Sequence, residues 1–255
     1  MNGVRLIPVE LVDTAGLVPD AWRGRGLGNR FLDEIRKADA LIHIVDASGS
    51  TDLEGRILKP GMHDPLEDVR FLEREITMWM MQIIRRDWQR VVRTVESRRA
   101  DLNSLLENRL SGLSIRRVQI TEALRKADLN ADKPSRWTEE DLYRFVDMLR
   151  RISKPMLIAA NKIDIPAAEE NLERLKESGY LVVPCSAEAE LALRRASEKG
   201  LIRYRPGDSD FSILKSAEIT DRQRRALEII RERVLQPYGT TGVQEAINAA
   251  FLSLI

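Results

Sequence analysis

Four short, branched, apolar runs constrain this chain most. Residues 4–12 (VRLIPVELV), 40–45 (ALIHIV), 155–160 (PMLIAA) and 180–184 (YLVVP) are followed by Asp13, Asp46, Asn161 and Cys185. Runs of this length, rich in Val, Ile and Leu, read as buried strands. Helical spacing lies between and after them: residues 29–38, with Phe31, Leu32 and Ile35 on one face, then 166–178, 187–199, 220–234 and 241–254. Strands alternating with helices predict an α/β fold, a mostly parallel sheet with helices on both faces. Ligands of such sheets bind at the carboxyl ends of the strands.

From Leu66 the pattern changes. Val69, Leu72, Ile76, Trp79 and Ile83 fall at 3-4-3-4 spacing, and after a phase shift Trp88, Val91, Val95, Leu102 and Leu105 continue the stripe. This predicts about 40 residues of helix, the length of a coiled-coil arm. Trp79, Trp88 and Met78, Met80 and Met81 are expected to pack that arm. Ser111-Gly112 reads as a turn, and Thr138 with Asp141 as a capping box opening a helix to about Ile152. The expected organisation is three segments: 1–65 and 153–255 forming one nucleotide-binding domain, and 66–152 an inserted helical domain.

Three motifs sit at strand ends. Asp13-x-x-Gly16 follows the first run. Its carboxylate suits a water of Mg²⁺, and the Gly16 N–H can approach a phosphate oxygen because no Cβ intervenes. Alone the pattern is weak: Asp52-Leu53-Glu54-Gly55 repeats it, and a loop cap after a strand explains Asp13 equally well. Asn161-Lys162-Ile163-Asp164 follows the third run and is more specific. The Asp164 carboxylate can accept from guanine N1–H and the exocyclic amine, a donor pair adenine lacks. The Lys162 stem can lie over the base, and the Asn161 amide can tie neighbouring loops. Ser186-Ala187 follows the fourth run, where a backbone N–H can meet the guanine carbonyl. The order phosphate, base, base gives the set its weight.

The sequence resembles the Obg-like family of P-loop GTPases, YchF subfamily. The resemblance rests on residues 13–19 (DTAGLVP), 24–32 (GRGLGNRFL), 38–49 (ADALIHIVDASG), Asn161-Lys162-Ile163-Asp164 and Ser186-Ala187-Glu188, and it extends over nearly the whole chain. It implies a GTP-binding protein that hydrolyses GTP as a translation- or ribosome-associated switch. Mg²⁺ would be the cofactor, held through water by Asp13, and GTP/GDP and the ribosome or rRNA would be the partners. Nucleotide contacts would come from Asp13, Gly16, Asn161, Lys162, Asp164, Ser186 and Ala187. The intact Asn-Lys-x-Asp corresponds to the GTP-preferring branch; an ATP-preferring hydrolase and a non-catalytic, partner-binding fragment are the alternatives. Two departures stand out. No G-x-x-x-x-G-K-[ST] phosphate loop occurs, and Gly24-Arg25-Gly26-Leu27-Gly28 does not replace it. The family's C-terminal TGS domain is also absent from these residues. The expectation is therefore a piece of the family's fold lacking its N-terminal strands and phosphate loop, with weak nucleotide binding by these residues alone.

No catalytic residue is identified. Leu17 stands where many GTPases place a water-orienting glutamine. His43 lies inside an apolar run and reads as a packed strand residue, while Arg23 and Arg25 read as solvated loop residues. Formal net charge is +1, which gives no global case for DNA or membrane binding. Any such case is local: residues 85–128 carry 11 Arg or Lys against six Asp or Glu. A basic helical surface of this kind suits rRNA phosphates, although a solvated helix face accounts for the charge as well. A single cysteine, Cys185, no membrane-length apolar run and no signal-peptide layout fit a cytoplasmic protein.

Overall fold

The computed structural model describes residues 8–14, 17, 19–23, 28–214 and 218–254. They fall into two compact units, one of residues 1–39 and 73–154, the other of residues 40–72 and 155–255.

The second unit holds the sheet. β1 (Leu41–Asp46), β2 (Met156–Asn161) and β3 (Leu181–Pro184) run parallel in the order β1-β2-β3. Ile42 pairs with Leu157 and Val45 with Ala160, and Leu157 pairs with Leu181. Strand alternation then sorts side chains to two faces. On one face Val45, Ile158 and Ala160 pack with Val69 at the start of α2 (Pro65–Arg85) and with Ala168, Leu172 and Leu175 of α7 (Ala168–Lys176). On the other face Leu157, Ala159, Val183 and Cys185 pack with Ala246 and Ala250 of α11 (Val243–Leu254). Helices therefore cover both faces, as the alternating pattern predicts.

A third cluster builds the C-terminal part of this unit. Ala189 and Leu193 of α8 (Ala187–Glu198) meet Ile202 and Tyr204 near a two-stranded antiparallel ribbon, β4 (Ile202–Arg203) and β5 (Ser212–Ile213). Leu227 and Ile230 of α9 (Asp221–Ile230) close it. A π-helical turn (Arg231–Leu235) carries α9 into α10 (Gln236–Tyr238), and Gly239, with φ +78°, ends the helix.

The first unit is helical. The continuous 40-residue helix expected from Leu66 is not formed. The chain breaks into α2, α3 (Trp88–Glu96) and α4 (Leu102–Leu110), followed by α5 (Arg117–Lys126) and α6 (Glu139–Ser153). Asp87 adopts φ +58° and Arg98 φ +53°, left-handed conformations that no continuing helix accommodates. After the second break, Asp101 restarts the helix by accepting from the Ser104 N–H at 3.0 Å. The folded-back helices bury Leu102, Leu106, Leu110, Ile120, Phe145 and Leu149. Thr138 and Asp141 form the capping box read from the sequence.

Two further expectations change. Residues 4–7 lie outside the described residues, but 8–12 form no strand, and Val9, Leu11 and Val12 are exposed. Among the described residues no neighbouring strand supplies them with ladder hydrogen bonds, and an isolated strand has nothing to hold it. The unit boundaries also depart from 65/66 and 152/153. The segment through α1 (Gly28–Lys37) belongs with the helical unit because the buried Glu75 accepts from the Asp20 and Trp22 N–H groups at 3.1 and 3.0 Å. Phe31 and Ile35 of α1 are buried there as well. Helix α2 starts in the sheet unit and passes into the helical unit after Leu72.

Candidate functional site

The carboxyl ends of the three parallel strands carry Asp46, Asn161 and Cys185, and the loops beyond them interlock. The Ile163 N–H donates to the Cys185 carbonyl at 3.3 Å, the Cys185 N–H to Ala160 at 2.7 Å and the Ala47 N–H to Asn161 at 3.0 Å.

Side chains of the base-reading motif then fix the loops. Asn161 Oδ1 accepts from the Ala187 N–H at 3.0 Å, tying the β2 end to the start of α8. The Ser186 hydroxyl donates to Asp164 Oδ1 at 2.8 Å and caps α8 by accepting from the Ala189 N–H. Asp164 Oδ2 has no partner among the described residues. Lys162 sits at φ +66°, unusual for a side-chain-bearing residue, and its Nζ donates to Asp46 Oδ2 at 2.8 Å and to Ser50 Oγ at 2.9 Å.

Asp46 is the largest hub of this network, although it belongs to none of the three strand-end motifs. Its Oδ1 accepts from the Ser48 N–H and hydroxyl; its Oδ2 accepts from the Ser50 N–H and hydroxyl and from Thr51. Burial alone would raise the Asp46 pKa, but Lys162 and the Ser48, Ser50 and Thr51 donors outweigh it and hold the carboxyl well below the usual range. Gly49 follows in the same loop at φ +59°, and a Cβ there would lie 2.3 Å from the His63 carbonyl oxygen. An aspartate closing an apolar run, with hydroxyl residues two, four and five positions on, is the local signal for such a loop.

Asp46→Asn is expected to destabilise the sheet unit by about 2 kcal/mol at neutral pH, since it places an amide against N–H donors and removes the Lys162 ion pair. The lowered pKa means this contribution is fully present above about pH 4 and is lost as pH falls further. Urea titrations at pH 7 and pH 3 check both points: the gap between wild type and variant narrows at the lower pH.

The phosphate-side motif contributes less geometry. Asp13 is exposed and outside any regular element, and Gly16 lies outside the described residues, as do Gly24–Leu27. Leu17 is half-buried. Asp13 belongs to the helical unit, whereas Asn161, Lys162, Asp164, Ser186 and Ala187 share the sheet unit. Both backbone donors considered for a base carbonyl are engaged: Ala187 N–H with Asn161, and Ser186 N–H with the Thr241 carbonyl at 2.9 Å. His43 lies in β1, its Nδ1 buried without a partner among the described residues and its pKa pushed down to about 4 by desolvation. It is a neutral packing residue, as its place in an apolar run implies. The Cys185 thiol is buried, and burial reinforced by Glu245 pushes its pKa up to about 12.

A parallel sheet with Asn-Lys-x-Asp and Ser-Ala at adjacent strand ends is the arrangement in which α/β proteins place their ligand-binding loops. Residues 159–255 match the Obg-like GTPase YGR210-like, G4 motif-containing domain, and residues 3–75 match the 50S ribosome-binding GTPase family. Over these two stretches the chain is similar to the Obg-like and ribosome-binding GTPase families. It is 47% identical to a GTP-binding protein of Methanocaldococcus jannaschii, over 100% of this chain and 63% of that protein. It is 35% identical to a GTP-binding protein of Schizosaccharomyces pombe, over 98% of this chain and 62% of the relative. The ribosome-binding ATPase YchF of Bacillus subtilis is 28% identical over 78% of this chain and 54% of its own length. A crystal structure of a GTP-binding protein from Pyrococcus horikoshii OT3 superposes with a TM-score of 0.70 and 40% identity, covering 88% of this chain and 60% of that one. The chain thus spans a little under two thirds of the length of these archaeal and yeast relatives.

Proposed function

We propose that this chain supplies the guanine-reading part of a protein that binds and hydrolyses GTP as a ribosome-associated switch. The observation that carries the reading is Asp164. Ser186 holds one of its oxygens, the other is left open, and Asn161 and Lys162 are fixed beside it by Ala187 and Asp46. A carboxylate held in this way suits the N1–H and exocyclic amine of guanine and meets, at the same positions of adenine, an unprotonated ring nitrogen and a C–H.

Asp164→Asn exchanges a charged acceptor for an amide. The preference for GTP over ATP is expected to fall by roughly 10- to 100-fold, the worth of hydrogen bonds to a charged group. Competition titrations of the two nucleotides against a fluorescent guanine analogue check this. An unchanged GTP/ATP preference removes Asp164 from the role and favours the ATP-using reading that the YchF name suggests.

Mg²⁺ fits what the chain offers. This hard cation keeps several waters and takes most of its other ligands from nucleotide phosphates, so the exposed Asp13 carboxylate would hold it through a water alongside those phosphates. When bound with nucleotide it supplies neutralisation of phosphate charge. The chain's own residues orient the base: Asp164 selects it, Lys162 offers its stem as a platform, and Asn161 and Ser186 keep both in place. Leu17 carries no group able to position water, so the water-orienting residue must lie elsewhere.

The ribosomal partner has its own support. Arg86, Arg90, Arg98 and Arg99 are exposed around α3 and have no ion-pair partner among the described residues. By contrast Arg85, Arg109, Arg117 and Arg125 are paired with Glu139, Asp87, Asp101 and Glu122. Unpaired guanidinium groups clustered on one stretch suit rRNA phosphates. Among the described residues no helix is long and apolar enough to cross a membrane, and a cytoplasmic location accords with a ribosomal partner.

A further inference from the structure

We infer that Thr241 and the buried Glu190 behind it are positioning residues for guanine recognition, acting through Ser186 on Asp164. This inference rests on the guanine reading of Asp164 given above.

A contiguous hydrogen-bonded path connects them. Glu190, on the first turn of α8, is 4% exposed, and its Oε2 accepts from the Thr241 hydroxyl and the Tyr204 hydroxyl, each at 2.6 Å. Its Oε1 accepts from Arg194 Nε at 2.5 Å. Thr241 is fully buried, and its carbonyl accepts from the Ser186 N–H at 2.9 Å. Ser186 is 1% exposed, and its hydroxyl donates to Asp164 Oδ1. Every link is short, and every group from Glu190 to Ser186 is buried.

The path has a function beyond gluing two loops. A serine hydroxyl can rotate toward several acceptors, so Ser186 holds Asp164 only if its own backbone is held. The anchor of that backbone on the N–H side is the Thr241 carbonyl. Thr241 is fixed in turn by a buried carboxylate whose three donors leave it no alternative geometry. The next residue, Gly242, lets this happen: at φ +77° it brings the loop so close that a Cβ would lie 1.8 Å from the Pro184 carbonyl oxygen. The segment just before α11 is thereby pressed onto the strand end that carries the second base-reading loop. Neither Thr241 nor Glu190 touches the base, so both act at one remove.

Guanine and hypoxanthine separate this role from a merely structural one. Both present N1–H, and only guanine adds the exocyclic amine. A displaced Asp164 loses more contact with GDP than with IDP, whereas general loosening weakens both alike. The test is NMR chemical-shift titration of the 255-residue chain with Mg²⁺ and GDP or IDP, a method that reads affinities into the millimolar range.

Thr241→Val, which keeps the shape and removes the hydroxyl, is expected to cut the GDP/IDP preference about tenfold. Thr241→Ser is expected to restore it, and Glu190→Gln to reduce it in the same direction should the valine variant not fold. Asp164→Asn is the control. A preference that is lost in Asp164→Asn but kept in both Thr241→Val and Glu190→Gln overturns the inference and leaves the guanine reading standing. Equal weakening of GDP and IDP by those two variants also overturns it. A wild-type chain showing no GDP/IDP preference overturns the guanine reading and the inference with it.

Discussion

Replacing Gly242 by alanine is expected to open the sheet unit around Cys185. Two penalties coincide at this residue. The backbone stands at φ +77°, where a β-carbon is strained whatever the space, and that carbon would lie 1.8 Å from the Pro184 carbonyl oxygen and 3.1 Å from Cys185 Cα. The obstacle is backbone on a strand end and not a side chain that can swing away, so the loop or the strand must move. Together these imply a destabilisation of ~3 kcal/mol or more. Cys185 supplies the measurement, because it is the only cysteine and is buried in the same strand-end packing. Labelling by a chromogenic disulfide reagent should be slow in the wild type and about 100-fold faster in Gly242→Ala, the change that such a shift in the opening equilibrium produces. Equal labelling rates would show that the loop yields without disturbing β3.

Arg150→Met is the corresponding experiment in the helical unit. Arg150 lies on α6 with its side chain 1% exposed, and its guanidinium meets Glu73 Oε1 and Asp147 Oδ1, each at 2.9 Å. Methionine has similar length and would leave two carboxylates facing each other without their buried cation. Removing one member of a buried ion pair costs about 3–5 kcal/mol. The lower end applies, because Glu73 and Asp147 keep some contact with water and Arg151 still reaches both, at 3.3 and 3.0 Å. All four tryptophans, Trp22, Trp79, Trp88 and Trp137, belong to this unit. Tryptophan fluorescence therefore reports its unfolding, and the midpoint of that transition should fall by about 6–12 °C. Charge alone is then tested by Glu73→Gln and Asp147→Asn combined with Arg150→Met, which should recover part of the loss.

The fold was legible where its signal is local. The runs 40–45, 155–160 and 180–184 appear as β1, β2 and β3 within a residue of the expected ends: central β2 is buried almost throughout, and its neighbours β1 and β3 keep the same branched, apolar character although Ile44 and Leu181 are exposed. The helical stripe was legible too, but its continuity was not. The phase shift between Ile83 and Trp88 marked the first break, at Asp87, and the second depends on Arg98 taking a left-handed conformation that its side chain does not announce. Strand 4–12 shows the opposite error. Its apolar pattern is sound, but a strand exists only through the ladder of a neighbour, and no pattern reports whether one is present.

The candidate site divides in the same way. Asn161, Lys162, Asp164 and Ser186 were readable because four fixed positions and a following strand end bring their own geometry. Asp46 was half visible, as a carboxylate closing an apolar run ahead of Ser48, Ser50 and Thr51. Thr241 and Glu190 carried no signal at all. They stand 51 residues apart in sequence and meet only because α8 and the segment before α11 converge on the end of β3.

The buried Lys154 carries a consequence for how the molecule reaches this state. Its ammonium donates to the carbonyls of Arg36 and Ala38, the latter 116 residues away, and desolvation lowers its pKa. Those three residues stand just ahead of β1 and β2, where the Leu41 N–H then takes the Pro155 carbonyl. Closing a chain of that length costs ~4 kcal/mol of entropy before any ladder bond repays it. Contacts that join the ends of so long an excursion form late and set the pace. Lys154 thus pins the two ends of the long excursion together immediately ahead of the first residues of β1 and β2, so that its two carbonyl contacts hold the strand starts level with one another.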